Sequence, residues 1–358
     1  MVAATSPAAS RAVLALPESL LLAVHVASSD RPWPPAGDVE ADRFLAQAGR
    51  EGLLPLLFAA AGLPASVARA LDRARAHERL AEARAEILTR ALHEVEGLMD
   101  GEPFVAIKGA DYMWRLYARP ALRPMQDIDI LVPSARIDAV CERLEHGGLR
   151  RRPPVRPARA APSYYERAFL LGDVVVEVHQ SFLQRSRHTI DYDAVWARRR
   201  PLPSLGPSAA RLDDADAVAY HALAMAKDEF TVPLIRFLDL KLMLDAAPDL
   251  LPPALARAQE WTAQRAMFGA LHLARRLFPG WGGDELGAAE HALLGPLRRR
   301  FLARFVLPTD AERGRAGVVT RGRQLWRKFW LMDGPSRRVA FAGEHAAALV
   351  LGRRGGRG

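Results

Sequence analysis

Cysteine is all but absent from this sequence. The chain of 358 residues carries Cys141 alone, which excludes an internal disulfide, so no disulfide partner is expected, and excludes a zinc site built from several thiolates. Lysine is nearly as scarce: Lys108, Lys227, Lys241 and Lys328 are the full set. Arginine therefore supplies nearly all the positive charge, and a lysine inside a motif stands out. No apolar run approaches the roughly 20 residues of a membrane-spanning helix. The longest, Leu14 to Val26, is broken by Pro17, Glu18 and His25. It also lacks the basic start and small-residue cleavage site of a secretory signal, so the expected compartment is cytoplasmic. What remains is ordinary globular material, 50% hydrophobic and 25% charged. That balance excludes a mostly disordered chain, and the length suits two or three domains of about 100–200 residues.

The net charge of +9 is unevenly placed. Residues 313–358 hold ten arginines and Lys328 against Asp333 and Glu344, which accounts for all of it, and the preceding residues are neutral overall. Within that tail Arg321, Arg323, Arg327 and Lys328 interleave with Leu325, Trp326, Phe329 and Trp330. Basic residues among aromatics suit RNA, through phosphate contacts and stacking, or an anionic membrane surface. They equally suit a helix that packs its aromatics on the body and solvates its arginines.

Four segments follow from the patterning: a helical region over 1–97, a small α/β core over 98–200, a second helical region over 201–310, and the basic tail over 311–358. In the first, Leu14, Leu20, Leu21 and Val24, then Phe44, Leu45, Leu53, Leu54 and Leu57, recur at helical steps, with Pro32, Pro34, Pro35 and Gly37 marking a break. Residues 65–97 read as one long solvated helix. The character changes at Gly101. Phe104–Ile107, Asp127–Val132 and Val174–His179 read as strands, with helices over Ala110–Tyr117 and Ser134–Glu145 between them. Residues 150–162, with five arginines and four prolines, read as a loop. Asp213 opens a helix running to Met225, and another covers Leu234–Leu244. The fold class is α+β, a small mixed-sheet core flanked by helical regions.

Chemistry concentrates at one place. Asp127 and Asp129 alternate with Ile128 and Ile130, so on a strand both carboxylates point to one face. Crowded carboxylates are costly unless a cation neutralises them. Magnesium, with its preference for carboxylate and phosphate oxygens, fits. Glu177 sits between valines on another strand and could complete a cluster of three.

The run Ile107-Lys108-Gly109-Ala110-Asp111, Tyr117, and Arg123-Pro124-Met125-Gln126-Asp127-Ile128-Asp129-Ile130-Leu131-Val132 resembles the bacterial uncharacterised nucleotidyltransferase family, within the DNA polymerase beta-like nucleotidyltransferase superfamily. The likeness extends to Glu177-Val178-His179, to His221 and Arg236-Phe237-Leu238-Asp239-Leu240, and to the Leu-rich stretch at 52–57. It covers roughly residues 13–250 and leaves the tail unexplained.

The resemblance implies transfer of a nucleoside monophosphate from a nucleoside triphosphate, such as ATP, to an acceptor hydroxyl on a small molecule, sugar or peptide. Asp127, Asp129 and Glu177 then match the metal-binding and catalytic carboxylates, holding two Mg2+ ions, with Mn2+ as a substitute. Glu177 also suits general-base work on the acceptor hydroxyl. Gly109 matches the glycine of the turn where backbone N–H groups meet the triphosphate. Many superfamily members carry Gly-Gly or Gly-Ser at that turn, and here it is Lys108-Gly109, so Lys108 could touch the triphosphate as a point charge. Arg123 could bind phosphate or hold the Asp127 loop by an ion pair. His179 faces the same side as Glu177, as a ligand or as a structural histidine. Lys227 and Arg236 are candidates for nucleotide binding, although Arg236 and Asp239 could simply pair along a helix. A toxin-like enzyme acting on transfer RNA, which the tail would favour, and an inactive nucleotide-binding or scaffold protein are the alternatives.

Overall fold

The computed structural model describes residues 37–60, 63–153, 164–309 and 320–343, with Pro35 and Glu312 besides. The helical turns expected at Leu14–Val24 lie outside the described residues. The chain begins with α1 (Asp38–Arg50), α2 (Leu54–Phe58), α3 (Ala65–Arg73) and α4 (Arg75–Met99). The expected single helix over 65–97 is therefore two, parted at Ala74, whose φ of −92° and ψ of 9° leave the helical region. Next come β1 (Phe104–Ile107), α5 (Gly109–Arg115), β2 (Asp127–Leu131), α6 (Ile137–His146), β3 (Arg150–Arg151), β4 (Glu166–Leu171) and β5 (Val174–His179). After α7 (Tyr192–Arg198), β6 (Arg200–Pro201) and β7 (Ala209–Arg211), the chain is helical: α8 (Asp214–Lys227), α9 (Leu234–Asp245), α10 (Leu251–Glu260), α11 (Gln264–Leu277), α12 (Gly283–Leu293), α13 (Pro296–Phe301) and α14 (Arg321–Leu331).

The strands form one mixed sheet of seven in the order β3-β4-β5-β2-β1-β7-β6. β2 runs antiparallel to β1 and parallel to β5, and β1 runs parallel to β7. The hairpin β4–β5 adds a strand the sequence reading did not mark, turning at Gly172 with φ 57°. Where a loop was expected over 150–162, Arg150 and Arg151 pair with β4 at the sheet edge. Part of the remainder of that stretch lies outside the described residues.

Alternation sorts the side chains to two faces. Phe104, Ala106, Ile128, Ile130, Val132, Val176 and Val178 join α4 (Leu88, Leu92, Val95, Met99) and α6 (Val140, Cys141, Leu144) in one core. Val105, Ile107 and Leu131 belong to a larger core that runs from Ala41 through α8, α9 and α11 to Leu331. That second face carries Asp127, Asp129, Glu177 and His179.

Helix α8 occupies the middle of the larger core. It is apolar nearly all round, with every residue from Ala215 to Ala226 buried, as a central helix should be. Asp213 caps it by accepting from the Ala215 amide. Helix α9 is pinned at its start by Glu51, whose carboxylate accepts from the Leu234 amide at 2.8 Å. The N-terminal helices thereby fix the helix that faces the site.

The packing of His221 in α8 has a consequence for acid stability. The residue is 0% exposed, its Nε2 donates to the Arg236 carbonyl at 2.7 Å, and its ring meets Tyr112 edge-on. Burial, with the Arg236 guanidinium nearby, pushes its imidazole down to about 3. The unfolded chain takes up that proton near about 6.5, so the stability linked to His221 is whole above that pH and is lost as pH falls towards 3. The expected slope is about 1.4 kcal/mol per pH unit across the window. Urea titrations at stepped pH should show it, with a shallower fall in His221→Gln. Equal slopes in the two proteins would assign the acid sensitivity to another group.

Candidate metal and nucleotide site

The site is built by strand register. β2 and β5 run parallel with Asp127 opposite Val175, Asp129 opposite Glu177 and Leu131 opposite His179. Asp129 and Glu177 therefore stand side by side, and His179 is one strand repeat further on the same face. Ligand atoms of Asp129, Glu177 and His179 lie within 4.8 Å of one another. The His179 Nε2–H donates to Asp129 Oδ1 at 2.8 Å and stands 3.6 Å from Glu177 Oε2. Asp127 is not one of this close trio, although it shares the strand and the face.

Lys108 reaches the same carboxylate. Its ammonium donates to Asp129 Oδ1 at 2.5 Å, and its side chain is only 18% exposed. The residue sits between β1 and α5 with φ 53° and ψ −129°, a backbone region that disfavours any side chain. Gly109 follows for a steric reason: a Cβ there would stand 2.9 Å from Met125 Sδ and 3.2 Å from an Arg123 nitrogen. The 123–125 segment thus lies directly against the backbone of the turn.

Charge divides the three carboxylates. Burial raises Asp127, the neighbouring charges of Asp129 and Glu177 raise it further, and its carboxyl stands at about 6. Burial would raise Asp129 as well, but Lys108 and His179 hold it well below the usual carboxylate range. Burial would raise Glu177 too, but the His179 imidazole and the Lys108 charge together hold it below the usual carboxylate value. Against its own burial, His179 is raised by those same bonds to Asp129 and Glu177.

The surrounding groups fall into two kinds. Arg123 is 6% exposed and its guanidinium is committed, donating to Asp239 Oδ2 at 2.7 Å and to the Pro124 carbonyl at 2.9 Å. Asp239 also accepts from the Tyr117 hydroxyl at 2.7 Å. The helical pair expected between Arg236 and Asp239 is therefore replaced by a buried knot of Arg123, Asp239 and Tyr117 that ties the 117–123 segment to α9. Arg236 is left with Nε and Nη2 buried and without a hydrogen-bond partner among the described residues. The Tyr220 hydroxyl, on α8, is buried and unpartnered too. Its ring is fixed by stacking on Phe182 at 4.2 Å. Burial pushes this phenol up, and the charges of Lys108, Asp129 and Arg236 all act on it. Lys227 lies over the Tyr165 ring at 5.2 Å, and Tyr165 stacks on His179.

Sequence reasoning passed over Tyr165 and Tyr220. A tyrosine inside the apolar run of α8 was the available signal, since a buried phenol calls for a partner. The donor set itself, two carboxylates and an imidazole at ligand spacing with an orphaned His179 Nδ1 behind them, suits a divalent cation.

Among the described residues no helix is long and apolar enough to cross a membrane. Over residues 37–279 the chain matches a protein family described as uncharacterised nucleotidyltransferase. No curated protein and no solved structure matches it.

Proposed function

This chain belongs to the uncharacterised nucleotidyltransferase family, and we propose that it transfers a nucleoside monophosphate from a nucleoside triphosphate to the hydroxyl of a small molecule, sugar or peptide in the cytoplasm. The observation that carries the reading is the register of Asp129 against Glu177, with Asp127 on the same face and Lys108 closing on Asp129. Asp129 and Glu177 would hold the divalent ion, Mg2+ or Mn2+, with Asp127 beside them and the His179 Nε2–H orienting Asp129. When bound, the ion supplies Lewis-acid stabilisation of the phosphoryl oxygens.

The chain's own groups do the rest. The acceptor oxygen bonds to the α-phosphorus, the α–β phosphoanhydride breaks, and pyrophosphate leaves. Glu177, at 24% exposure the more open of the Asp129–Glu177 pair, takes the acceptor proton. Arg236 and Tyr220 present buried donors that none of the described residues satisfies, a costly state that polyphosphate oxygens would relieve. Lys227 supplies positive charge at the Tyr165 edge. Arg123 is left out of the phosphate set because Asp239 holds it.

Two observations favour a non-RNA acceptor. Lys328 is paired with Glu229 at 2.9 Å. Arg323 and Arg327 are both paired with Glu312.

The direct test is incubation with each α-labelled nucleoside triphosphate, divalent metal and cell extract, following label and pyrophosphate. Label should move to an acceptor and should not move with Asp127→Asn. Label transfer by that variant at the wild-type rate would overturn the assignment. Arg236→Met should raise KM for the nucleotide about 10- to 100-fold, the worth of one or two charge-assisted hydrogen bonds, with kcat within a few-fold. A fall in kcat at constant KM would place Arg236 away from the ground-state polyphosphate.

A further inference from the structure

Building on the nucleotidyl-transfer reading, we infer that Lys108 stands in for one of the two cations of a two-metal centre, so that this site takes a single divalent ion. Three features lead there independently.

The first is the occupancy of Asp129. A carboxylate that bridges two ions must offer an oxygen to each, and a carboxylate oxygen has two lone-pair directions. Oδ1 of Asp129 already receives two N–H donors, the Lys108 ammonium at 2.5 Å and the His179 imidazole at 2.8 Å. Only Oδ2 remains.

The second is the compactness of the donor set. Ligand atoms around one small divalent ion, each about 2.1 Å from it, lie within about 4.2 Å of one another. The nearest carboxylate oxygens of Asp129 and Glu177 lie within 4.8 Å of one another, a separation close to that around one shared ion. Paired ions would sit about 3.5–4 Å apart, and the room beside Asp129 on the β1 side is where the Lys108 side chain lies.

The third is the backbone of Lys108. Its φ of 53° and ψ of −129° hold a long side chain in a conformation that costs about 1–3 kcal/mol and that glycine would adopt freely. The chain places a glycine at the next position, yet keeps at this one of its four lysines. Strain of this kind persists where the side chain is needed, and the contact it secures is the ion pair with Asp129. A fixed ammonium supplies one positive charge beside the carboxylates and the polyphosphate, without ligand exchange.

The test counts ions without relying on turnover. Full-length protein with a nonhydrolysable α,β-methylene nucleoside triphosphate is titrated with Mn2+, and free Mn2+ is followed by electron paramagnetic resonance. Wild type should bind one Mn2+ per ternary complex. Lys108→Gly, which also releases the backbone, and Lys108→Met, which keeps the side-chain bulk, should each bind two. Two ions on wild type would overturn the inference and leave the nucleotidyl-transfer reading standing. No ion on wild type would overturn both. Variants that bind one ion more tightly, with no second, would show Lys108 to be a competitor for the metal and would overturn the inference. The wild-type count decides even where a variant fails to fold.

Discussion

Asp127→Asn and Asp129→Asn are expected to abolish nucleotidyl transfer alike while moving stability in opposite directions. For each, the loss of transfer should be about 1,000-fold or more, equivalent to about 4 kcal/mol of barrier. Their folding effects differ because their partners differ. Asp129 is 3% exposed and neutralises Lys108 and His179. Removing its charge leaves a buried ammonium unpaired, a change that costs about 3–5 kcal/mol in comparable settings. Asp127 has the reverse problem. Burial and the charges of Asp129 and Glu177 lift its carboxyl to about 6, above the unfolded value of about 3.9. A carboxyl raised in the folded state costs stability once it ionises, so near pH 7 its replacement by Asn should stabilise by about 1–2 kcal/mol. As pH falls from 6 towards the unfolded value the folded protein holds the Asp127 proton and the unfolded chain does not, so the difference should shrink to about half at pH 5 and vanish near pH 4. Thermal melts of metal-free protein at pH 7.5 and pH 5, beside transfer assays, would check this. Equal destabilisation by both substitutions would mean that Asp127 has an unrecognised partner.

The same contrast shows where the sequence was legible. Asp127 and Asp129 could be put on one face because strand alternation is local, and Ile128 and Ile130 do enter the opposite core. The three principal strands were visible as short apolar or β-branched runs, the first two closed by Lys108-Gly109 and Pro133. Their pairing was not visible. That Asp129 meets Glu177 depends on a parallel crossover, which no single strand encodes. The edge strands escaped for a related reason: Arg150–Arg151 and Arg200–Pro201 have no strand-like composition and exist because a neighbour offers a free edge. Arg236 and Asp239, three apart, looked like a helix pair, but Asp239 is 0% exposed and points at Arg123. Spacing identifies neighbours on an exposed helix surface and says little about a buried one. Nothing in the residue order announces that Lys108 carries a positive φ.

Deleting residues 313–358 should unfold the protein at moderate temperature before it reveals any role in binding phosphate polymers. The alternatives for this basic segment were RNA, an anionic membrane surface, or packing on the body, and the contacts of α14 bear on the choice. Leu331, Met332 and Phe341 are each no more than 6% exposed. Trp330 packs edge-on to Phe301 at 4.8 Å and accepts at its carbonyl from Arg265 at 2.7 Å. Asp333 accepts from the Arg265 amide, and Arg337 bonds to Thr262 and Thr189 beside the α10–α11 turn. Arg327, 0% exposed, meets Glu312 at 2.6 Å. Burial of the three large apolar side chains alone is worth about 5–9 kcal/mol as an upper bound, comparable with the whole stability of an ordinary domain, about 5–15 kcal/mol. Deletion would also strip cover from Leu302 and Val306 in the main core. The expected result is a truncated chain that melts at least 10 °C lower or fails to fold, with RNA binding by the full-length protein weak and little steeper in salt than that of a neutral protein. A truncated chain that melts within about 2 °C of the full length, having lost a steep salt-dependent affinity for RNA, would move these arginines from packing to phosphate recognition. It would also revive transfer RNA as the acceptor.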